Sequence, residues 1–488
     1  MKQLSALDSI FVYNESSRTP LHISGVSIYE PPAKGEKPVR FKDVLQRYEE
    51  RLDRSPVFRR KLSRVVFDLD TPYWIEDEDF DLEYHVRHIA LPSPGNWRQL
   101  CILIARLHSL PLDLGRPPWE AYVIEGLNNI NGLPSGSWAV FSKTHHAAID
   151  GATGSQMGEA LHDIEPKPVL PKTTDDWRPE SEPGHLSKLG KAYLKLFKTP
   201  RQMRAIVVHA VKSRSEEVRE LLNNSESDHD LKERTLFNGN ISPHRVFGGL
   251  RMELDQLKAV KNVAGSCTLN DVLLSIVSGT MRHYLSEKGD LPNSSLVAIV
   301  PVSTRTKDNI NAEGGNEASV MNVSLRTDIA DPMERIKAIN EDAVRSKTYA
   351  QAIGIERIST VMDSIPTSLM SLGMRVAADT GLQSKAPMPH TTVTNVPGPQ
   401  FPLYFCGAKV SLSMGLGCLM DGQGLFHTVT SYNGYVSLTF VSCREMMDDP
   451  EFYHQCINRS LREHIDAADA LAKPKATKPK KKRKPRSS

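Results

Sequence analysis

The chain is organised around the sequence KTHHAAIDG at residues 143–151, where two adjacent histidines precede an aspartate and a glycine. Residues 137–142 before it are largely apolar and follow a Pro-Ser-Gly turn, which predicts a strand. Residues 152–164 after it carry apolar side chains at helical spacing and predict a helix. The histidines are therefore expected at the end of a strand, where side chains of α/β folds reach a crevice.

Composition limits the class of protein. A length of 488 residues exceeds one ordinary core and predicts two or three domains. No apolar run approaches the roughly 20 residues of a membrane-spanning helix, and the amino terminus lacks the apolar core of a signal peptide. The six cysteines are scattered without a C-x-x-C pair, which suits a reducing compartment. We therefore expect a cytoplasmic protein.

Local patterns predict an α/β fold in which strands and helices alternate. Capping-box sequences at 5–8 and 268–271 predict helix starts. Asn433-Gly434 lies between two apolar β-branched runs and predicts a hairpin. Apolar and polar residues alternate over 80–87, which predicts a half-buried strand.

Composition changes along the chain divide it into four segments. We predict an amino-terminal subdomain over 1–165 and a carboxy-terminal subdomain over 235–472. Between them, 166–234 is a Pro-rich crossover linker with a basic amphipathic helix at 185–198. Residues 473–488 carry nine basic and no acidic residues and predict a disordered tail. Subtracting these nine from the net charge of +3 leaves a body at −6.

The adjacent histidines suggest proton transfer, because neutral imidazole accepts and returns a proton near pH 7. Neighbouring residues of an extended backbone point to opposite sides, so we expect one ring in the crevice and the other inside. Asp150 could orient an imidazole, or it could pair with an arginine and brace the loop. Three other interpretations compete: a chance surface pair, a metal site with no evident third ligand, and a hydrolase with no G-x-S-x-G.

HHAAIDG matches H-H-x-x-x-D-G, the motif of acyltransferases resembling chloramphenicol acetyltransferase, carnitine acyltransferases and peptide-synthetase condensation domains. More closely, residues 1–470 resemble a bacterial-type wax ester synthase/diacylglycerol acyltransferase. The stretches that carry this resemblance, in order, are LSALD at 4–8, PLHI at 20–23, RPPW at 116–119, ND at 270–271, PVSTR at 301–305, GN at 315–316 and NVPGP at 395–399. Pro118 departs from the leucine usual in the family, and we expect that change to affect loop packing.

The resemblance implies two chloramphenicol-acetyltransferase-like subdomains with an active-site tunnel between them. It implies transfer of an acyl group from long-chain acyl-CoA to a fatty alcohol, a diacylglycerol, or both. His146 is then the general base, no covalent acyl-enzyme forms, and acyl-CoA is a co-substrate with no further cofactor or metal.

Other residues receive roles through the same resemblance. His145 would support the site, and Asp150 would brace the loop, with Arg305 as a candidate partner. Asn270, Asn395 and Gly398 are candidate substrate-binding residues. Plain helix capping competes for Asn270, and a turn between strands competes for 395–399. The Met- and Gly-rich run at 411–417 could line an acyl channel or simply pack in the core.

Two further functions remain open from the sequence. One is a condensation-like acyltransferase that uses another thioester donor, although no carrier module is evident. The other is a non-catalytic binder of nucleic acid or an anionic surface through the basic tail, which would bind phosphates without sequence selectivity. For a lipid enzyme an anionic membrane or droplet surface is the better partner, so we expect peripheral association with the inner membrane face or lipid inclusions and no specific nucleic acid.

Overall fold

The computed structural model describes residues 2–32, 35, 37–66, 70–149, 158, 160–167, 179, 184, 233–303, 318–353 and 388–472. The strands, in chain order, are β1 (Lys2–Gln3), β2 (His22–Tyr29), β3 (Arg60–Ser63), β4 (Tyr73–Glu76), β5 (Val86–Ala90), β6 (Trp119–Leu127), β7 (Ser137–His145), β8 (Arg245–Glu253), β9 (Val297–Ser303), β10 (Ala318–Ser324), β11 (Thr391–Pro397), β12 (Tyr404–Phe405), β13 (Ala408–Leu416), β14 (Leu425–Tyr432) and β15 (Tyr435–Cys443). The helices are α1 (Ala6–Asn14), α2 (Phe41–Glu49), α3 (Leu82–His85), α4 (Trp97–Ser109), α5 (Leu254–Ala264), α6 (Leu269–Glu287), α7 (Pro332–Ile353) and α8 (Pro450–Ala472).

Two six-stranded sheets form the centres of two lobes. The first sheet has the order β12-β13-β2-β7-β6-β5, and with helices α1–α4 it makes the first lobe. The second has the order β10-β9-β11-β14-β15-β8, and with helices α5–α8 it makes the second lobe. A small sheet, β1-β4-β3, lies in the first lobe. The mixed α/β fold class predicted from the sequence is confirmed.

Two strands from the carboxy-terminal half, β12 and β13, join the first sheet. β13 pairs antiparallel with β2, so that Gly415 lies opposite Gly25. A Cβ atom on Gly415 would lie 2.6 Å from Cγ2 of Thr428 in β14, and this close approach requires glycine. β13 thereby connects the two sheets and holds the lobes together.

A shared apolar core reinforces this connection. Helix α4 packs on β8, and Leu100 and Ile104 of that helix are completely buried. They belong to the same cluster as Met414 of β13 and Val441 of β15. Because this one core cluster contains residues of both lobes, the lobes are expected to unfold together.

Most elements predicted from the sequence are confirmed. Ser5 caps α1 by accepting a hydrogen bond from the Asp8 backbone N–H, and Thr268 caps α6 in the same way through Asp271. The hairpin turn between β14 and β15 is also confirmed, with Asn433 and Gly434 both at positive φ.

The strand predicted over 80–87 is wrong at its beginning. Asp81 accepts a hydrogen bond from the Glu83 backbone N–H and caps the short helix α3, so β5 begins only at Val86. The His85 ring follows the helical turn inward, where Nδ1 donates to the Trp119 carbonyl at 2.7 Å. The Asp81 cap and the distant Trp119 carbonyl thus favour a helical turn where the alternating pattern predicted a strand.

Several predictions lie outside the described residues. They concern most of the helix at 152–164, most of the linker with its basic helix, and the tail. Asp150, Arg305 and the stretch at 315–316 also lie outside them. Among the helices that the structure does describe, none combines the length and apolar composition that crossing a membrane would need.

Candidate active site

The two histidines lie where β7 ends, at the centre of the first sheet. The His145 backbone N–H donates to the Pro118 carbonyl at 2.9 Å, on the β6 side. The His146 N–H donates to the Leu21 carbonyl at 2.9 Å, on the β2 side. The segments that lead into β6 and β2 therefore hold the end of β7 from both sides, which fixes the direction of each imidazole.

His145 is the inner ring, with no exposed surface. Its Nδ1 accepts a hydrogen bond from the Ala147 backbone N–H at 3.1 Å, so the ring proton of the neutral form lies on Nε2. That Nε2 is 3.6 Å from Oε2 of Glu15, a carboxylate whose other oxygen accepts from the Leu21 backbone N–H at 3.2 Å. The Ala147 backbone N–H therefore selects the tautomer of His145, and Nε2 lies near the Glu15 carboxylate without a hydrogen bond to any described residue.

His146 is half-buried and begins a short 3-10 turn, residues 146–148. Its ring stacks on Phe11 of α1, with 3.9 Å between ring centroids and 14° between the planes. Burial, reinforced by the neighbouring His145, lowers the pKa of His146 to about 4. His146 is therefore an uncharged imidazole at neutral pH, and its Nδ1 is buried without a hydrogen bond from the described residues.

A buried ion pair braces the strand just before the histidines. The Lys143 side chain is fully buried, with Nζ 3.1 Å from Oε2 of Glu120 on β6. Nζ also donates to the Leu110 carbonyl at 2.9 Å, at the end of α4. The Tyr122 hydroxyl donates to the same Glu120 oxygen at 2.8 Å. Burial lowers the pKa of Lys143, and Glu120 opposes that shift.

Two more buried imidazoles connect the histidine strand to the extension of β13. His22 lies opposite His145 in the sheet, and its Nε2 donates to the His108 carbonyl at 2.9 Å. His108 in turn accepts from the Ser24 hydroxyl through Nδ1 at 2.8 Å and donates from Nε2 to the Gly417 carbonyl at 3.0 Å. Burial lowers the pKa of His108 to about 3, so this chain of hydrogen bonds is neutral.

The second lobe contains the other candidate residues, and the structure brings two of them together. Asn395 of β11 donates through Nδ2 to Oδ1 of Asn270, in the first turn of α6, at 3.3 Å. The capping role belongs to Asp271, which accepts from the Thr268 backbone N–H at 2.7 Å and from Nδ2 of Asn340 at 2.8 Å. The Asn270 side chain is thus separate from the cap and points towards β11.

Gly398 follows β11 and packs directly against β14. Its backbone N–H donates to Oγ of Ser431 at 3.2 Å, and an added Cβ would lie 2.3 Å from the Ser431 carbonyl oxygen. Glycine at this position therefore permits close packing of the turn. The run at 411–417 forms most of β13, with Leu412, Met414 and Leu416 buried in the core that the lobes share.

Several residues around the histidines could not be predicted from local sequence patterns. Glu15 and Phe11 lie about 130 positions earlier in the chain and meet His145 and His146 only through the pairing of β2 with β7. Glu120, the partner of Lys143 two residues before His145, is the second residue of β6, and a charged residue at the start of an apolar run was the one available signal.

Comparisons with known proteins agree with this arrangement. Residues 4–273 match the model of the wax ester synthase/diacylglycerol acyltransferase catalytic domain. Residues 314–464 match the model of the C-terminal domain of the same family.

The relatives match over nearly their whole length. A Mycobacterium tuberculosis protein named "Putative diacyglycerol O-acyltransferase" is 31% identical over 481 residues, covering 96% of this chain and 91% of the relative. A second protein from that organism, named "Probable diacyglycerol O-acyltransferase", is 32% identical over 449 residues, covering 90% of this chain and 93% of the relative.

The solved structures agree on the architecture. The wax ester synthase/diacylglycerol acyltransferase from Marinobacter aquaeolei VT8 is 26% identical, with a TM-score of 0.67 over 96% of this chain and all of the other. The first condensation domain of the calcium-dependent antibiotic synthetase, 12% identical, has a TM-score of 0.57 over 96% of this chain and 97% of its own and shares the fold alone. The fold is thus the two-lobed one of the chloramphenicol-acetyltransferase type, as predicted. The chain belongs to the wax ester synthase/diacylglycerol acyltransferase family and is an O-acyltransferase.

Proposed function

We propose that the protein transfers a long-chain acyl group from acyl-CoA to the hydroxyl of a fatty alcohol, a diacylglycerol, or both. The observation that carries this proposal is the position of the His146 ring, which stacks on Phe11 at the end of β7, directly after the buried His145. The names of the mycobacterial relatives support diacylglycerol as acceptor, and the name of the Marinobacter enzyme supports both acceptors.

His146 acts as the general base in the proposed reaction. It takes the proton of the acceptor hydroxyl as the oxygen attacks the thioester carbonyl carbon. The tetrahedral intermediate then collapses, the carbon–sulfur bond breaks, and the His146 imidazolium protonates the CoA thiolate. No acyl group is attached to the protein, and no cofactor other than the acyl-CoA co-substrate takes part. Holding both substrates at one base supplies the orientation that a bimolecular reaction lacks.

The surrounding residues serve this step in different ways. His145 supports the site from inside through its contacts with Ala147 and Glu15. Asn395 donates a hydrogen bond to Oδ1 of Asn270. Because this contact directs the Asn270 oxygen towards β11, the Asn270 amide N–H groups point away from β11 and serve as donors for the substrate. Gly398 shapes the neighbouring turn, and the family resemblance assigns Asp150 the role of a brace for the loop after the histidines.

The location of the enzyme follows from its proposed acceptors. Fatty alcohols and diacylglycerols partition into lipid, so we place the enzyme in the cytoplasm, peripherally at the inner membrane face or on lipid inclusions. The two-lobed architecture supports a tunnel between the lobes that carries the acyl chain to His146.

The pH dependence of kcat/KM should reflect the low pKa of His146. The base must be neutral, and with a pKa of about 4 it stays neutral throughout the range from pH 5 to 8. We expect a profile that is flat on the acidic side until the pH approaches that value. Initial rates and melting temperature are measured at each pH to separate protonation from unfolding. An acid limb centred near the ordinary imidazole pKa of about 6.5 would contradict the assignment.

A panel of acceptors with palmitoyl-CoA tests the function itself. The purified enzyme is given hexadecanol, shorter linear alcohols, dioleoylglycerol or water, and ester and free thiol are quantified together. We expect one ester for each thiol released with hexadecanol, dioleoylglycerol, or both. Thiol release that is unaffected by every hydroxyl acceptor would overturn the proposal.

A further inference from the structure

A cavity of about 210 Å³ opens beside the turn that follows His146. Its lining includes Ala147 and Ala148 together with residues from the start of α1 and from the small sheet. The lining residues are Lys2, Gln3, Leu4, Ser5, Asp8, Pro56, Val57, Arg60, Trp74, Ala147 and Ala148.

The small sheet directs two cations and an indole into this cavity. Lys2 of β1 lies opposite Trp74 of β4 in the sheet. On the other side of β4, Leu62 of β3 lies opposite Trp74, and Arg60 lies two residues before Leu62. Alternation along β3 therefore places Arg60 on the same face as Trp74. Lys61, which points to the opposite face, is paired with Asp77 at 2.7 Å.

The charges of the cavity favour an anion. Within the described residues, neither the Lys2 ammonium nor the Arg60 guanidinium has an ion-pair or hydrogen-bond partner. The one carboxylate in the lining, Asp8, is engaged at the cap of α1, where its Oδ2 accepts from the Ser5 hydroxyl at 2.6 Å. Two unpaired cations thus face a cavity whose single carboxylate is already bonded.

We propose that this cavity binds the phosphate-bearing part of acyl-CoA, with Lys2 and Arg60 as the phosphate ligands. The inference rests on the proposed function. Of the proposed substrates, acyl-CoA alone carries phosphate, while fatty alcohols and diacylglycerols are uncharged. Arginine and lysine are the usual partners of phosphate groups. The cavity is smaller than the roughly 300–1,000 Å³ of typical ligand sites, so it holds one part of CoA while the pantetheine arm passes the alanines towards His146.

The test compares donors with and without phosphate on a charge-reduced enzyme. In the double variant Lys2→Gln/Arg60→Gln, KM for palmitoyl-CoA should rise about 100-fold, since each of the two charge-assisted hydrogen bonds contributes a factor of about ten. Values of kcat, KM for hexadecanol and KM for S-palmitoyl-pantetheine should stay at the wild-type level. The matched control, Arg98→Gln/Lys258→Gln, removes two cations from exposed helix surfaces and should change none of these.

Salt provides a second readout that does not depend on a variant folding. The wild-type KM for palmitoyl-CoA should rise with ionic strength, whereas KM for S-palmitoyl-pantetheine should not. An unchanged KM in the Lys2/Arg60 variant, an equal rise with both donors, or an equal rise in the control would overturn this inference. These KM comparisons are made on a wild-type enzyme that uses palmitoyl-CoA. A wild type without that turnover would instead overturn the proposed function.

Discussion

Replacing His146 with alanine should reduce acyl transfer from palmitoyl-CoA to hexadecanol to background, with the protein still folded. A positioned general base contributes roughly 10²–10⁴ in rate, and no other described side chain occupies its place on Phe11. The side chain is half-buried and its Nδ1 has no partner among the described residues, so its removal breaks no hydrogen bond there. Ester formation by the purified variant, beside its circular dichroism and melting temperature, checks the prediction.

A histidine outside the site serves as the matched control. His244 lies exposed just before β8, and His244→Ala should keep wild-type turnover. Near-wild-type turnover of a folded His146→Ala protein would contradict the assignment of the base.

Replacing Glu120 with alanine should lower the free energy of unfolding by about 3–5 kcal/mol, because it leaves the Lys143 charge buried without its counterion. The Tyr122 hydroxyl loses its acceptor in the same variant. Since Lys143 lies two residues before His145 on β7, activity should fall as well. Urea unfolding followed by tryptophan fluorescence measures the change in stability.

Two control variants separate the buried charge from other effects. Glu120→Ala/Lys143→Met removes both partners and should regain much of the lost stability, since apolar replacements of buried pairs are often neutral. Asp255→Ala removes the exposed partner of Lys258 and should cost at most about 1 kcal/mol. A double variant as unstable as Glu120→Ala would show that Lys143 contributes nothing to the loss.

Much of the fold could be predicted from short sequence patterns. The helix starts at Ser5 and Thr268 depend on residues three positions away, and the Asn433-Gly434 turn depends on two residues and their flanking strands. Such local interactions are complete within a few residues of sequence. The position of the histidines at a strand end followed from the same kind of pattern.

The remainder depends on contacts between distant parts of the chain. Nothing local in residues 408–416 indicates that they join the first sheet beside β2. The approach of Glu15 to His145, and of Asn395 to Asn270, likewise exists only after the strands have paired. The alternation over 80–87 was misleading because the partner of His85, the Trp119 carbonyl, is 34 residues away.

If His146 is a general base, the acyl group passes directly from CoA to the acceptor. If His146 is instead a nucleophile, which histidine can also be, an acyl-enzyme forms first. Mixing the enzyme with palmitoyl-CoA in the absence of acceptor, and following thiol release in a stopped-flow instrument, separates the two. Direct transfer with His146 as base predicts no rapid burst, and thiol release that begins only when hexadecanol or dioleoylglycerol is added. A rapid burst of one CoA per enzyme without acceptor, lost in His146→Ala, would contradict it.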